Sequence, residues 1–142
     1  MRNTKHWADV RPSADLARQY RERHLWRDST PAADLRRWAT ETPAAVAVTA
    51  QVSSTGVVRL TYREYAEQVE RVTGVLAGLG IGPGDVVAIQ LPSWWQLNAV
   101  VLACARLGAV VAPITTMIRA RELELMLARL EPVAYVTTEV WA

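Results

Sequence analysis

Three short, unbroken apolar runs punctuate the second half of the chain: "VVAIQL" (Val86–Leu91), "AVVAPI" (Ala109–Ile114) and "VAYVTT" (Val133–Thr138). None alternates apolar with polar residues, as a strand with one wet face would. Their pattern is that of strands covered on both faces. Helical periodicities separate them. "WWQLNAVVLACARL" follows the first run, and "RARELELMLARL" follows the second, with Leu123, Met126, Leu127 and Leu130 on one face. Buried strands alternating with helices predict an α/β fold. It should have three layers, with a mostly parallel sheet and helices on both faces. Its crossovers should be right-handed.

The upstream residues add a helical layer and a hairpin. Thr30 is placed to cap a helix whose first residue is Pro31, with Leu35, Trp38 and Ala39 on one face and Pro43 as its stop. "AAVAVTA" (Ala44–Ala50) and "VVRL" (Val57–Leu60) read as two strands joined by the polar loop "QVSSTG", a hairpin. Thr61 and Glu64 have the capping-box spacing. Tyr62, Tyr65, Val69, Val72, Leu76 and Leu79 then recur every three or four residues, which predicts an amphipathic helix ended by Gly80. Ser93 is the expected cap of the helix 94–107, which Gly108 ends. That helix is apolar nearly all round, so it should be packed on several sides or face a partner.

"GLGIGPGD" (Gly78–Asp85) spaces four glycines two apart and raises the question of a phosphate loop. A dinucleotide fingerprint runs strand, glycines, helix, so that a helix N-terminus meets the phosphates. Here the order is helix, glycines, strand. The helix end that meets the glycines is the C-terminus, whose partial negative charge disfavours phosphate. Gly80 instead terminates a helix, and Gly82-Pro83-Gly84-Asp85 makes a turn into the sheet.

Composition excludes other classes. Half of the 142 residues are hydrophobic and the net charge is +2, which gives no field for nucleic acid or a membrane surface. The basic stretch Arg18–Arg27 reads as a solvated helix face. No apolar run is long enough to span a bilayer, and the start of the chain lacks the apolar core of a signal peptide, so a cytoplasmic protein is expected. Cys104, the single cysteine, is an expected core filler. His6 and His24 have no metal-ligand spacing to Cys104 or each other. Ser93 follows a strand but has no base among Pro92, Trp94 and Trp95. Trp94 and Trp95 fit packing or an aromatic binding face. Glu122 and Glu124, two apart on a helix, do not face each other as an acid/base dyad would.

Taken together, four pieces resemble a known family. "LTYREY" (Leu60–Tyr65), "LGIGPGDVVAIQLPS", "ACARLGAVVAPI" and "RARELELML" stand in the order and at the spacing found in the N-terminal part of the adenylate-forming enzymes. That superfamily includes acyl-CoA synthetases, aryl-acid adenylating enzymes, nonribosomal peptide adenylation domains and firefly luciferase. The resemblance covers residues 26 to 140. "LWRDSTPAADLRRWATETPAAVAV" and "PITTMIRARELELML" are most similar to CoA ligases for medium-chain or cyclic acids, with aryl-acid adenylating enzymes as rivals. Ser93 departs from the usual Asn.

Residues 1–25, upstream of the resemblance, read as a polar, partly helical segment, with "DLARQYRERHLW" as its short helix. Over 26–142 the resemblance implies the N-terminal α/β portion of an AMP-binding domain, an incomplete subdomain cut before the phosphate loop. A full-length parent would use ATP, Mg2+ and CoA to turn a carboxylic acid into an acyl-adenylate and then a thioester, as in fatty acid metabolism. The phosphate loop, the ribose-binding Asp motif and the catalytic lysine of the family have no counterpart here, and Lys5, the only lysine, matches neither family lysine. No catalytic, cofactor-binding or metal residue is therefore expected in this chain, and the chain alone is expected to be inactive. Two further readings stay open: a non-catalytic interaction module or remnant, and an unrelated nucleotide-binding α/β domain. Self-association, or docking with the rest of a ligase, is expected through helix 94–107 and the sheet edges.

Overall fold

The computed structural model describes residues 12–51 and 56–139. Its elements in chain order are α1 (Ala14–Glu22), α2 (Pro31–Glu41), β1 (Val46–Gln51), β2 (Val57–Thr61), α3 (Tyr62–Gly78), β3 (Val86–Gln90), α4 (Trp95–Leu107), β4 (Val110–Pro113), α5 (Ala120–Leu130) and β5 (Ala134–Thr137). The three apolar runs form one parallel sheet in the order β4-β3-β5. Val86 lies opposite Val110, and Val87 opposite Ala134. All five residues of β3 are buried.

Successive side chains of a strand point to opposite faces. Val87 and Ile89 point to the face where α3 and α4 lie, and join Leu76, Ile81, Val100, Ala103 and Cys104 in one core cluster. Ala88 and Gln90 therefore point to the other face, where the chain entering α5 meets Gln90 and α5 runs against β3. Right-handed crossovers require this division. α4 carries the chain outward from β3 to β4, and α5 returns past β3 to β5, so the two helices fall on opposite faces.

β1 and β2 pair antiparallel as a separate two-stranded sheet, the expected hairpin; its loop residues 52–55 lie outside the described residues. With α2 it packs on the outer side of α3 and α4. There Leu35, Tyr65, Val69 and Ala99 form a second buried cluster, flanked by Val48, Leu60, Trp95 and Leu102. This explains the nearly all-apolar α4, which touches the sheet on one side and this second cluster on another. Of the two outcomes expected for helix 94–107, packing on several sides holds, and the expected docking or self-association through it is corrected: none of its large apolar side chains is exposed. Exposed apolar residues lie elsewhere, among them Val75 (64% exposed) on α3, Leu79 (69%) at its end, Leu125 on α5 and Met117 in the loop before α5. Leu79 sits past the last helical residue, at the C-cap, so it leaves the buried stripe that its spacing predicts.

Local chemistry sets the element ends. The Thr61 hydroxyl accepts from the Glu64 N–H, and the Glu64 carboxylate accepts from the Thr61 N–H at 2.8 Å, a complete capping box. At the other end of α3, Gly80 has φ +78°. Its N–H donates to the Ala77 carbonyl, and the Ile81 N–H donates to that of Leu76. That is a Schellman ending, with Ile81 packed against Leu76 in the core. Gly82-Pro83-Gly84-Asp85 is a type II turn: Gly84 has φ +81°, and Asp85 N–H donates to the Gly82 carbonyl. The Asp85 carboxylate accepts from the Gly82 N–H at 2.9 Å. The glycines thus serve a helix end and a turn.

Ser93 does not cap α4. Trp94 holds the extended cap conformation, and no side chain bonds to the helix start. Ser93 lies one residue too early to serve that end. α1 is capped by Ser13, and its residues are exposed or half-buried. Its arginines meet acidic partners at the surface, Arg18 with Asp15 and Arg21 with Asp28, as a solvated face should.

Thr61→Ala removes one half of the capping box and should lower stability by about 1 kcal/mol, read from urea unfolding at neutral pH. The box holds the Glu64 carboxyl below its usual pKa, chiefly through the Thr61 backbone N–H and then its hydroxyl. A lowered folded-state pKa stabilises above the unfolded-state value, and that contribution is lost as pH falls through the folded-state value. Thr61→Ala keeps the backbone N–H and removes only the smaller, hydroxyl contribution, so the gap should narrow slightly as pH drops below the normal glutamate range. A gap that widens as pH falls would contradict the box.

Candidate functional site

In open α/β sheets, ligands settle outside the carboxyl ends of strands where neighbouring connections diverge. Here β3 and β5 end side by side, and a crevice of about 500 Å³ opens between them. Leu91, Trp94, Val100 and Val136 form its apolar wall, and Gln96, Thr137, Thr138 and Glu139 its polar one. The glycine turn Gly82–Asp85 lies at the start of β3, at the opposite end of the sheet.

Beside this crevice, on the far face of the sheet, Gln90 forms a buried polar clamp. It is 3% exposed. Its side-chain amide donates to the carbonyls of Thr115 (2.9 Å) and Ile118 (3.1 Å), and its carbonyl accepts from the Tyr135 hydroxyl. One side chain thus ties β3 and β5 to the loop between β4 and α5. The apolar pattern of β3 does not single out Gln90, but a lone amide at the end of an otherwise apolar strand has to find partners inside.

The residues singled out in the sequence are scattered. Ser93 is exposed beside the crevice. Trp94 lines the crevice, whereas Trp95 packs edge-on against Tyr65, with ring centroids 6.5 Å apart. Trp95 thus takes the packing role, while Trp94 borders open space. Glu122 and Glu124 are exposed on α5, and His24 is exposed in the turn after α1. Cys104 is buried, and burial pushes its thiol pKa up; the Tyr65 phenol is raised for the same reason. Both stay protonated at neutral pH, which suits core packing. Lys5 and His6 lie outside the described residues.

A magnesium-bound triphosphate would meet little in the crevice to hold it: the lining includes one carboxylate, Glu139, and no Lys or Arg. Among the described residues, no three His, Cys, Asp or Glu side chains gather to hold a metal ion. This donor set does not fit that group, which needs cationic donors and hard oxygen ligands. It fits a neutral or apolar moiety against Trp94.

The fold and this edge define the class: a doubly wound α/β sheet backed by a helical layer and a hairpin, with its open crevice at the carboxyl ends. Comparison with known proteins narrows it. The family described as AMP-binding enzyme matches residues 35–142. The salicylyl-CoA synthase / salicylate adenylyltransferase of a Streptomyces species is 34% identical over 103 residues, 72% of this chain and 17% of that protein. The 2-hydroxy-7-methoxy-5-methyl-1-naphthoate–CoA ligase of Streptomyces carzinostaticus is 31% identical over 89% of this chain and 22% of the ligase. Among solved structures, apo MbtA of Mycobacterium smegmatis superposes with a TM-score of 0.72 at 32% identity, covering 86% of this chain and 22% of that one. The N-terminal subdomain of Klebsiella oxytoca NpsA gives a TM-score of 0.65 at 25% identity, covering 79% of this chain and 28% of that one. The chain belongs to the AMP-binding, adenylate-forming enzyme family and corresponds to the N-terminal part of its ligases. It spans about a fifth of the length of the two Streptomyces relatives.

Gln90→Leu leaves the Thr115 and Ile118 carbonyls and the Tyr135 hydroxyl without their partner. It should cost about 1–3 kcal/mol in stability. Amide exchange should speed up in residues 115–118 while β3 stays protected. An unchanged loop would mean that the clamp is dispensable.

Proposed function

We propose that this chain is the first structural portion of a carboxylate–CoA ligase and carries no ligase activity by itself. The observation that supports this best is the match of residues 35–142 to the AMP-binding enzyme family, with relatives named as CoA ligases and synthetases. In a complete enzyme, ATP with Mg2+ would activate the acid and CoA would accept the acyl group. The crevice lining does not fit the triphosphate, so those contacts are assigned to other parts of the parent. This chain's share is architectural: it supplies a rigid sheet edge, with Trp94 and the Gln90 clamp holding the shape of the carboxyl-end crevice. No helix among the described residues is long and apolar enough to cross a membrane. That, with the near-neutral charge, supports a cytoplasmic enzyme acting on small molecules rather than nucleic acid. Purified 142-residue chain should show no carboxylate-dependent exchange of pyrophosphate into ATP. Exchange above a no-acid control would overturn the proposal.

The acid of the parent enzyme we assign to the 2-hydroxyaryl carboxylates. The sequence resemblance pointed to medium-chain or cyclic acids, with aryl acids as rivals. The names of the relatives support the aryl side: salicylyl-CoA synthase and a 2-hydroxynaphthoate–CoA ligase match 72% and 89% of the chain, whereas an acetyl-CoA synthetase of Dictyostelium discoideum matches 39%. A complete enzyme that includes this segment should favour salicylate over acetate and octanoate by about tenfold or more in kcat/KM. A preference for either aliphatic acid would overturn the assignment.

A further inference from the structure

The edges of the two sheets are not equally defended. An edge strand offers unpaired N–H and C=O groups to any second strand, and Pro, charge or a bulge blunts it. β1 carries an irregularity between Val46 and Val48, and β2 carries the exposed Arg59. In β4, the Val110 N–H donates to the Asp85 carbonyl, and that of Ile114, just past the strand, to the Ile89 carbonyl. Alternation turns the backbone of Val111 and Pro113 to the open side, where Pro113 has no N–H to offer. β5 has none of these defences. The Val133 N–H donates to the Val86 carbonyl. The backbone groups of Tyr135 and Thr137 therefore face β3 as well, and those of Ala134 and Val136 face the open side. No described strand pairs there, and Ala134–Thr137 holds neither Pro nor a charged residue. Exposed apolar side chains flank this edge: Val75 and Leu79 from α3, and Val133 and Tyr135 at the strand itself.

We propose that the open edge of β5 pairs antiparallel with the same edge of a second copy of this chain, joining the two parallel sheets into one. The inference stands on the sheet edges and does not rest on the ligase reading. A two-fold axis through the seam makes the contact isologous, so the edge has to be complementary to itself. It is, when the pairing is centred on Tyr135. Ala134 of each copy then lies opposite Val136 of the other, and each such pair exchanges two N–H···O=C bonds. Four bonds use every open group of these two residues. Tyr135 stands opposite Tyr135 of the second copy, an aromatic pair of the kind that favours strand pairing. Centring on Ala134 instead would set Pro132, which has no N–H, opposite Val136. The two-fold keeps both α3 helices on one face of the joined sheet, so Val75 and Leu79 of the two copies close over the seam. A net charge of +2 sets little repulsion between copies. Two four-residue strands and one helical wall from each copy make a patch smaller than the standard interface of about 1,600 Å², so the dimer should be weak, with a micromolar Kd.

The test is sedimentation velocity on the purified 142-residue chain across the micromolar range. A 15.7 kDa monomer should convert to a species of twice that mass as concentration rises. Ala134→Pro removes an outward N–H, a substitution that an edge strand tolerates. Val75→Lys puts a cation at the seam, at an exposed position near the end of α3 where the helix dipole welcomes it. Each should weaken dimerisation about tenfold or more, as Pro and Lys do at natural edges. Thermal unfolding of dilute Val75→Lys should match that of the unsubstituted chain. The register has its own readout. Val133 and Thr137 of opposite copies form a non-hydrogen-bonded pair, close enough for a disulfide. V133C/T137C should therefore form a covalent dimer under oxidised glutathione, with the buried Cys104 taking no part. A chain that stays monomeric, a dimer that both substitutions leave undiminished, or V133C/T137C that stays uncrosslinked overturns the proposal. None of these outcomes bears on the ligase reading, which stands or falls by pyrophosphate exchange.

Discussion

Val87, Ala88 and Ile89 have no exposed surface, and it takes a cover on each face of the sheet to bring that about. Fully burying a Val or Ile side chain is worth about 1.5–3 kcal/mol, so a strand dry on both faces is a concentrated source of stability. It is also demanding. α3 and α4 cover one face, the chain leading into α5 covers the other, and β4 and β5 must satisfy the backbone on both sides. The helix endings serve the same strand. The Schellman ending of α3 drops Ile81 into the core just before the turn. Gly108, with φ +71°, ends α4 so that Ala109 can enter the sheet beside β3. Its α-carbon hydrogen faces Pro83, where an added Cβ would lie 3.4 Å from the ring, so two connections at this end pack on each other.

The elements that were legible in the sequence are those governed by local rules. The capping box, the glycine that ends α3, the Pro-Gly turn and the three strands of the parallel sheet all stand where periodicity and turn chemistry put them, but only β3 is buried throughout, while β4 and β5 are half-buried or exposed. What was missed depends on neighbours distant in sequence. Ser93 looked like a cap because Ser is a good cap, but the register of α4 against the sheet put Trp94 at that position. α4 looked under-covered because its second partner, the cluster of α2 and the hairpin, comes from residues some fifty positions earlier. Leu79 looked buried because periodicity does not say where a helix stops. Gln90 was passed over because strand pattern counts apolar residues, whereas its role comes from Thr115, Ile118 and Tyr135, brought to it by the fold.

The two ends of the sheet have different tasks. At the amino ends of the strands, glycines and Pro83 make compact turns with internally satisfied hydrogen bonds, which leaves little for a ligand to engage. At the carboxyl ends, the clamp holds the loop before α5 while the crevice stays open beside Trp94. A glycine-rich motif is thus a poor guide to a phosphate site unless its order relative to strand and helix is also right.

The central claim is that this chain is one portion of a larger ligase, and the intact mass of the protein in the cells that express it tests that claim most directly. Antibodies to the hairpin and α3 would capture it for mass spectrometry. The account predicts a species several times heavier than 15.7 kDa that contains this sequence. A sole species at 15.7 kDa would contradict it and leave a self-contained, non-catalytic domain in its place.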